Sequence, residues 1–117
     1  MPTERPARRL ADIIENIERI RSYVEGMDKQ AFLGDLKTRD AVERCLERIA
    51  EAARKLGDVY DETYPGLSLR DLRRFGSVLR HDYDSLIAPQ MWQYIDNRLD
   101  SLEAMARTEL AKLPPDE

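Results

Sequence analysis

Apolar residues recur at steps of three and four along nearly the whole chain, and this spacing limits the fold more than any other feature. It predicts a first helix from about Ala7 to Gly26 and a second long helix that ends at about Leu56. A third helix is predicted to begin at residues 68–71, which resemble a capping box, and to run into His81. A last helix is predicted to begin near Pro89. No segment shows the alternation that is typical of strands. The sequence therefore predicts an all-α fold.

The length and the first residues of the chain set the expected class of protein. Its 117 residues are sufficient for one domain, so we expect a single helical domain over 1–117, with a disordered tail at 113–117. No stretch approaches the roughly 18 consecutive apolar residues of a membrane span, and the first residues contain no apolar signal segment. We therefore expect a cytoplasmic protein that does not associate with a membrane.

The chain has one cysteine, Cys45, and one histidine, His81. One cysteine cannot form an internal disulfide, and one subunit cannot assemble a metal site from several histidine and cysteine side chains. Cys45 lies on the apolar stripe of the second helix, where we expect it to be a buried packing residue rather than a reactive thiol. The sequence therefore indicates neither a metal ion nor a cofactor.

Positive charge is concentrated near the histidine. The net charge of −4 argues against a protein that binds nucleic acid through a broad basic field. Within eleven positions, however, the third helix carries Arg70, Arg73, Arg74 and Arg80, and His81 follows directly. This segment is either a local basic patch or a solvated helix face on which the arginines provide solubility.

Helical geometry places several of these side chains together. At about 100° per residue, Arg74 lies seven positions before His81 and therefore on nearly the same line of the helix. Ser77 lies between them on that line, four positions before the histidine. Arg73 and Arg80 form a row parallel to it. The third helix is therefore predicted to present a compact set of basic and hydroxyl groups around one imidazole.

These residue types suit the cleavage of a phosphodiester. His81 can act as general base and then as acid, because a free imidazole has a pKa of about 6.5. Arg74, Arg80 or both can bind a phosphate with two donors and stabilise its developing charge. Tyr83 can donate a hydrogen bond or stack on a base, and Asp84 can orient the imidazole if the helix extends that far.

No carboxylate cluster in the sequence suits a two-metal mechanism. The pattern therefore predicts metal-independent cleavage in which the ribose 2′-hydroxyl is the nucleophile, so that RNA is the substrate and DNA is not. The alternative interpretation makes His81 a helix C-terminal residue that the helix dipole favours.

The motif around the histidine also resembles that of a known family. Arg74, six further residues, His81, one residue and Tyr83 match the signature of HepT-like proteins of the HEPN superfamily. The segments that carry the resemblance are 37–42, 49–56 and 72–84. The resemblance implies a bundle of about five mostly antiparallel helices. It also implies a homodimer in which two histidine motifs face each other across a cleft.

The resemblance further implies a function and a partner. HepT-like proteins are ribonuclease toxins of toxin–antitoxin pairs, and their antitoxin is a small MNT-type nucleotidyltransferase. This antitoxin is thought to silence the toxin by adding AMP to the motif tyrosine. The resemblance places that tyrosine at Tyr83. Many members carry arginine five positions and asparagine four positions before the histidine, where this chain has Gly76 and Ser77. The alternatives are therefore a catalytically silent module that binds RNA, a nucleotide or the nucleotidyltransferase, and a purely structural helical dimer.

Overall fold

The computed structural model describes residues 5–81 and 87–114, and within these ranges the chain forms six α-helices and one 3-10 turn. The elements are α1 (Pro6–Tyr23), α2 (Lys29–Leu33), α3 (Leu36–Leu56), the 3-10 turn (Pro65–Leu67), α4 (Leu69–His81), α5 (Ile87–Asn97) and α6 (Leu99–Ala111). The described ranges contain no strand. The predicted all-α fold is confirmed, with five substantial helices and the short α2.

Helices α1 and α3 form the centre of the bundle. They lie side by side, and α6 packs on α1 while α4 packs on α3. Each apolar stripe faces inward, and its fully buried side chains are Leu10, Ile13, Ile17, Ile20, Val42, Cys45, Leu46 and Ile49. Burying one large aliphatic side chain stabilises a fold by about 1.5–3 kcal/mol, so these two stripes are the main source of stability.

Cys45 is a packing residue, as predicted. Its side chain lies within the buried stripe of α3, and burial raises the pKa of its thiol above the usual value. Because the thiolate is the reactive form, this environment keeps the side chain chemically inert.

Two aspartates determine where α2 and α3 begin. Asp28 accepts a hydrogen bond from the Ala31 amide at 2.8 Å, and Asp35 accepts one from the Thr38 amide at 3.1 Å. Each carboxylate thereby satisfies an amide that has no partner within its helix. At the other end of α3, Gly57 has a φ of 73°, a left-handed conformation that favours glycine and stops the helix.

The start of α4 differs in detail from the prediction. Ser68 has a left-handed backbone, with φ of 51° and ψ of 51°, whereas a capping box needs an extended residue at this position. The predicted capping box is therefore wrong. The helix begins instead with the amides of Asp71 and Leu72, which donate to the Ser68 carbonyl at 3.0 and 3.2 Å.

The predicted single C-terminal helix is two helices, and the break lies at Arg98. Backbone hydrogen bonds continue across it, because the Arg98 amide donates to the Tyr94 carbonyl at 2.9 Å and the Leu102 amide donates to the Arg98 carbonyl at 3.1 Å. The Arg98 guanidinium donates to the Leu67 carbonyl at 3.4 Å and lies over the Tyr94 ring, 5.1 Å from its centroid. Arg98 has a φ of −120° and a ψ of −23°, outside helical geometry, and the spacing of apolar residues cannot reveal the contacts that accompany this break.

A buried carboxylate anchors the loop between α3 and α4. Glu109 of α6 accepts a hydrogen bond from the Tyr64 hydroxyl and forms an ion pair with Lys112 at 3.0 Å. These two contacts, the tyrosine first, hold the pKa of Glu109 below its usual value. The loop is therefore held against α6 by this contact.

Helix α4 packs closely against α3 at Gly76. A Cβ atom at this position would lie 2.6 Å from the Cβ of Ala50, which is far inside van der Waals contact. Position 76 therefore faces α3. An arginine there, as many members of the resembling family have, could not reach the exposed face of α4 without moving the helix.

Replacing Gly76 by alanine should destabilise the protein by about 1–2 kcal/mol, because overpacking typically costs about 1–3 kcal/mol and the better helix propensity of alanine returns at most about 1 kcal/mol. Urea denaturation measures the change. In a double-mutant cycle, the pair Gly76→Ala and Ala50→Gly should be less destabilised than the sum of the single variants. Additive effects, or a Gly76→Ala variant as stable as the original, would mean that the two helices are not in close contact here.

Candidate functional site

Helix α4 presents an exposed polar line opposite its buried face. The buried residues of the helix are Leu69, Leu72, Phe75, Gly76 and Leu79. On the opposite side, Arg74, Ser77 and His81 are exposed to solvent and follow one another at helical spacing. The structure therefore brings these three predicted site residues onto one surface, and His81 is the last described residue of α4.

Arg73 has a different environment from Arg74. Its guanidinium donates to both carboxylate oxygens of Asp61 at 2.7 and 3.0 Å and to the Gly57 carbonyl at 3.1 Å. The hydrogen bonds from Arg73 hold the pKa of Asp61 below its usual value. Arg73 therefore connects α4 to the preceding loop, and its donors face that loop rather than the line that ends at His81.

Arg80 points toward α3. Its Nη1 would lie 3.5 Å from a Cβ atom built on Gly76, so the side chain folds back over the glycine. The pKa of Glu51 on α3 is lowered, mainly by hydrogen bonds from Arg54, and the positive charge of Arg80 contributes to this shift. Arg73, Arg74 and Arg80, three of the four arginines that the sequence grouped together, thus face three different regions.

A groove beside Arg74 contains residues that the sequence did not identify. It lies between α4 and α5, has a volume of about 270 Å³, and is lined by Asp71, Arg74, Phe75, Val78, Gln90, Gln93 and Tyr94. The Tyr94 ring stacks on Phe75 with 4.7 Å between the centroids. The two glutamines are three positions apart on α5, a spacing that could have indicated a shared polar face.

A larger groove lies between α1 and α3, and Arg80 of α4 is also one of its lining residues. Its volume is about 550 Å³, and its basic lining residues are Arg9, Arg19, Arg44, Arg48, Lys55 and Arg80. The sequence indicated a basic patch on the third helix alone. The signal for this second surface was the placement of Arg44, Arg48 and Lys55 at steps of four and seven on the outer face of the second helix.

Two predicted site residues, Tyr83 and Asp84, lie outside the described residues, as do positions 115–117 of the predicted tail. Leu113, where that tail was predicted to begin, packs partly against the core. Among the described residues, no group of three or more histidine, cysteine, aspartate or glutamate side chains is arranged to hold a metal ion. No helix of residues 5–81 and 87–114 is long and apolar enough to cross a membrane.

Comparison with known proteins identifies the family. The family model described as ribonuclease HepT-like matches residues 13–109, a range that contains α3, α4 and the exposed line on α4. This chain belongs to the HepT-like ribonuclease family. Membership confirms the resemblance that was inferred from the motif around His81. Nuclease activity is therefore supported for this HepT-like chain as a property of its family.

Several relatives share a quarter to a third of their aligned residues with this HepT-like chain. A Methanocaldococcus jannaschii protein provisionally named as an RNase is 32% identical over 90 residues, which cover 77% of this chain and 74% of the relative. A Thermococcus cleftensis protein named "Probable ribonuclease HepT" is 31% identical over 94 residues, which cover 80% of this chain and 86% of the relative. No solved structure matches the chain significantly.

Proposed function

We propose that this HepT-like protein is a metal-independent endoribonuclease toxin of a toxin–antitoxin pair. The observation that carries the proposal is the exposed line of Arg74, Ser77 and His81 on α4 in a chain of a ribonuclease family. An accessible imidazole near guanidinium and hydroxyl groups has the parts needed for proton transfer and phosphate binding.

In the proposed reaction the RNA supplies its own nucleophile. His81 accepts the proton of the ribose 2′-hydroxyl while that oxygen attacks the adjacent phosphorus. The bond between phosphorus and the 5′-oxygen breaks, and an imidazolium donates a proton to the departing oxygen. The products are a 2′,3′-cyclic phosphate and a 5′-hydroxyl. A homodimer with two facing histidines would supply the base from one chain and the acid from the other.

Arg74 is the arginine best placed to bind the reacting phosphate. It lies on the same exposed line as His81 and makes no ion pair with any residue of the described ranges. A free guanidinium can direct two donors at a phosphate and stabilise the charge that grows during attack. Arg80 is the second candidate because it precedes His81 directly. We assign supporting roles to Ser77, as a hydrogen-bonding group, and to Asp84, as a partner that orients the imidazole.

The proposed regulation acts two residues after the histidine. An MNT-type nucleotidyltransferase antitoxin would add AMP to the Tyr83 hydroxyl. The added phosphate places negative charge and bulk next to His81, where the RNA phosphate must bind. Modification would therefore block substrate binding without altering the catalytic groups themselves.

Coexpression with an MNT-type partner tests this regulation. The intact mass should increase by one or more AMP groups, and the modified protein should lose RNA cleavage. A Tyr83→Phe variant should keep its unmodified mass under the same conditions. Active, unmodified protein after coexpression would contradict the proposed modification, although the nuclease proposal would stand.

A catalytically silent binding module is the second candidate function. Gly76 favours it, because its contact with Ala50 leaves the chain without the arginine that many relatives carry five positions before the histidine. Such a module would bind RNA or a nucleotidyltransferase through the same face of α4. It would show no RNA cleavage in the presence of EDTA, which separates it from the enzyme.

A further inference from the structure

One residue of the groove between α1 and α3 is the direct chain neighbour of the proposed catalytic histidine. Arg80 is one of the lining residues of the groove, and the next residue along the chain is His81. If the scissile bond of a polymer lies at His81, the part of the polymer that flanks this bond could therefore extend into the groove.

The charges of the groove are unevenly paired. Each of its four carboxylates lies within 4 Å of an arginine: Asp12 with Arg9 at 3.5 Å, Glu15 with Arg19 at 2.8 Å, Glu47 with Arg44 at 3.8 Å, and Glu51 with Arg54 at 2.7 Å. In contrast, Arg48, Lys55 and Arg80 form no ion pair within residues 5–81 and 87–114. The positive charge outside ion pairs is therefore carried by three cations, and one of them, Arg80, directly precedes His81 in the chain.

A buried amide in the same groove lacks a hydrogen-bond donor. Asn16 is only 4% exposed, and its Nδ2 donates to the Asp12 carbonyl at 2.8 Å. No described residue donates to its buried Oδ1, and Asn16 is one of the residues that line the groove. Buried polar atoms nearly always have partners, so a small movement of Asn16 would allow this oxygen to accept from a ligand that carries hydroxyl or amino donors. The 2′-hydroxyls and the exocyclic amino groups of RNA are donors of this kind.

The lining argues against a second copy of the chain as the occupant. The core of a stable protein interface is depleted in charged residues and rich in aromatic and apolar ones. Here nearly all lining residues are charged, and Ala52 is the only apolar one among them. A phosphodiester strand, which offers negative charge and polar donors together, fits these walls better than a protein surface does.

We propose that the groove between α1 and α3 binds the sugar–phosphate backbone of single-stranded RNA that flanks the bond cleaved at His81. Arg48 and Lys55 are seven residues apart on α3, a separation of about 10 Å along the helix, so they contact different phosphates. Arg80 connects this tract to the catalytic face. The inference rests on the proposed nuclease function for the identity of the ligand, but the groove can be tested without cleavage.

The test measures binding of a fluorescent single-stranded RNA by proteins that all carry His81→Ala. Against this background, Arg48→Ala/Lys55→Ala should weaken binding by about 10–100-fold and lower the slope of log K against log salt by about 1.4, the value for two lost phosphate contacts. The control Lys29→Ala/Lys37→Ala removes the same charge from exposed positions outside the groove and should bind nearly as the parent does. Equal binding and equal slopes for both pairs would overturn the proposal.

A variant that is expected to bind RNA more tightly excludes misfolding as the explanation of the change in RNA binding. Glu51→Gln removes a carboxylate from the groove wall, so it should strengthen RNA binding by a few-fold, which an unfolded protein cannot do. Weaker binding together with a change of oligomeric state in Arg48→Ala/Lys55→Ala would overturn the proposal in favour of an interface between copies. If the unmodified protein, with His81 intact, cleaves RNA but the groove variants bind RNA as tightly as the His81→Ala protein does, only the groove proposal fails. If the groove variants lose RNA binding and the unmodified protein does not cleave RNA, only the nuclease proposal fails.

Discussion

Replacing His81 by alanine should lower EDTA-resistant RNA cleavage by about 10²–10⁴-fold, the usual contribution of a general acid–base group. The fold should be unaffected, because His81 is an exposed residue at the end of α4 and does not belong to the buried core. Initial rates on a labelled single-stranded RNA measure the loss, and circular dichroism and urea denaturation monitor the fold.

A matched control distinguishes this loss from a general effect of mutation. Thr108→Ala alters an exposed residue of α6 far along the chain from both grooves and should keep full activity. A His81→Ala variant that cleaves as fast as Thr108→Ala would show that the imidazole takes no part in the reaction. The exposed line on α4 would then be a solvated surface.

Arg74→Ala should produce the second-largest effect, a decrease of about 10²–10³-fold in kcat, because removing one donor to a developing oxyanion typically costs this much. Arg74→Lys keeps the charge but loses the two parallel donors, so it should recover only part of the rate. Steady-state kinetics on a short RNA of defined sequence would give kcat and KM separately.

The other arginines of α4 serve as internal comparisons. Arg80→Ala should act mainly on KM for long RNA, because this side chain faces the groove between α1 and α3. Arg73→Ala should act mainly on stability, because its guanidinium is bound to Asp61 and Gly57. If Arg80→Ala reduces kcat as strongly as predicted for Arg74→Ala while Arg74→Ala is active, the phosphate-binding role belongs to Arg80.

The helices were largely predictable because their stability comes from burying regular apolar stripes. The spacing of Leu10, Ile13 and Ile17 determines both that α1 is a helix and which side faces the core. The break at Arg98 was not predictable, since the spacing of apolar residues does not reveal the contacts of that side chain with Leu67 and Tyr94 that accompany it.

The site was predictable along one helix but not between helices. Helical spacing correctly placed Arg74, Ser77 and His81 on one line. It could not show that Arg73 and Arg80 turn away from that line, because the positions of Asp61 and of the Gly76 contact depend on how α4 packs. For the same reason, the sequence could indicate the basic face of α3 from the spacing of Arg44, Arg48 and Lys55 but could not show that this face forms one wall of a groove.

The most direct test of the proposed chemistry compares an RNA oligonucleotide with the same oligonucleotide carrying a single 2′-deoxy sugar at the cleaved position, both in EDTA. If His81 activates the ribose 2′-hydroxyl, the protein should cleave the RNA to a 2′,3′-cyclic phosphate and a 5′-hydroxyl and leave the substituted bond intact. Cleavage of both bonds, or of neither, would contradict a metal-independent ribonuclease that acts through the 2′-hydroxyl.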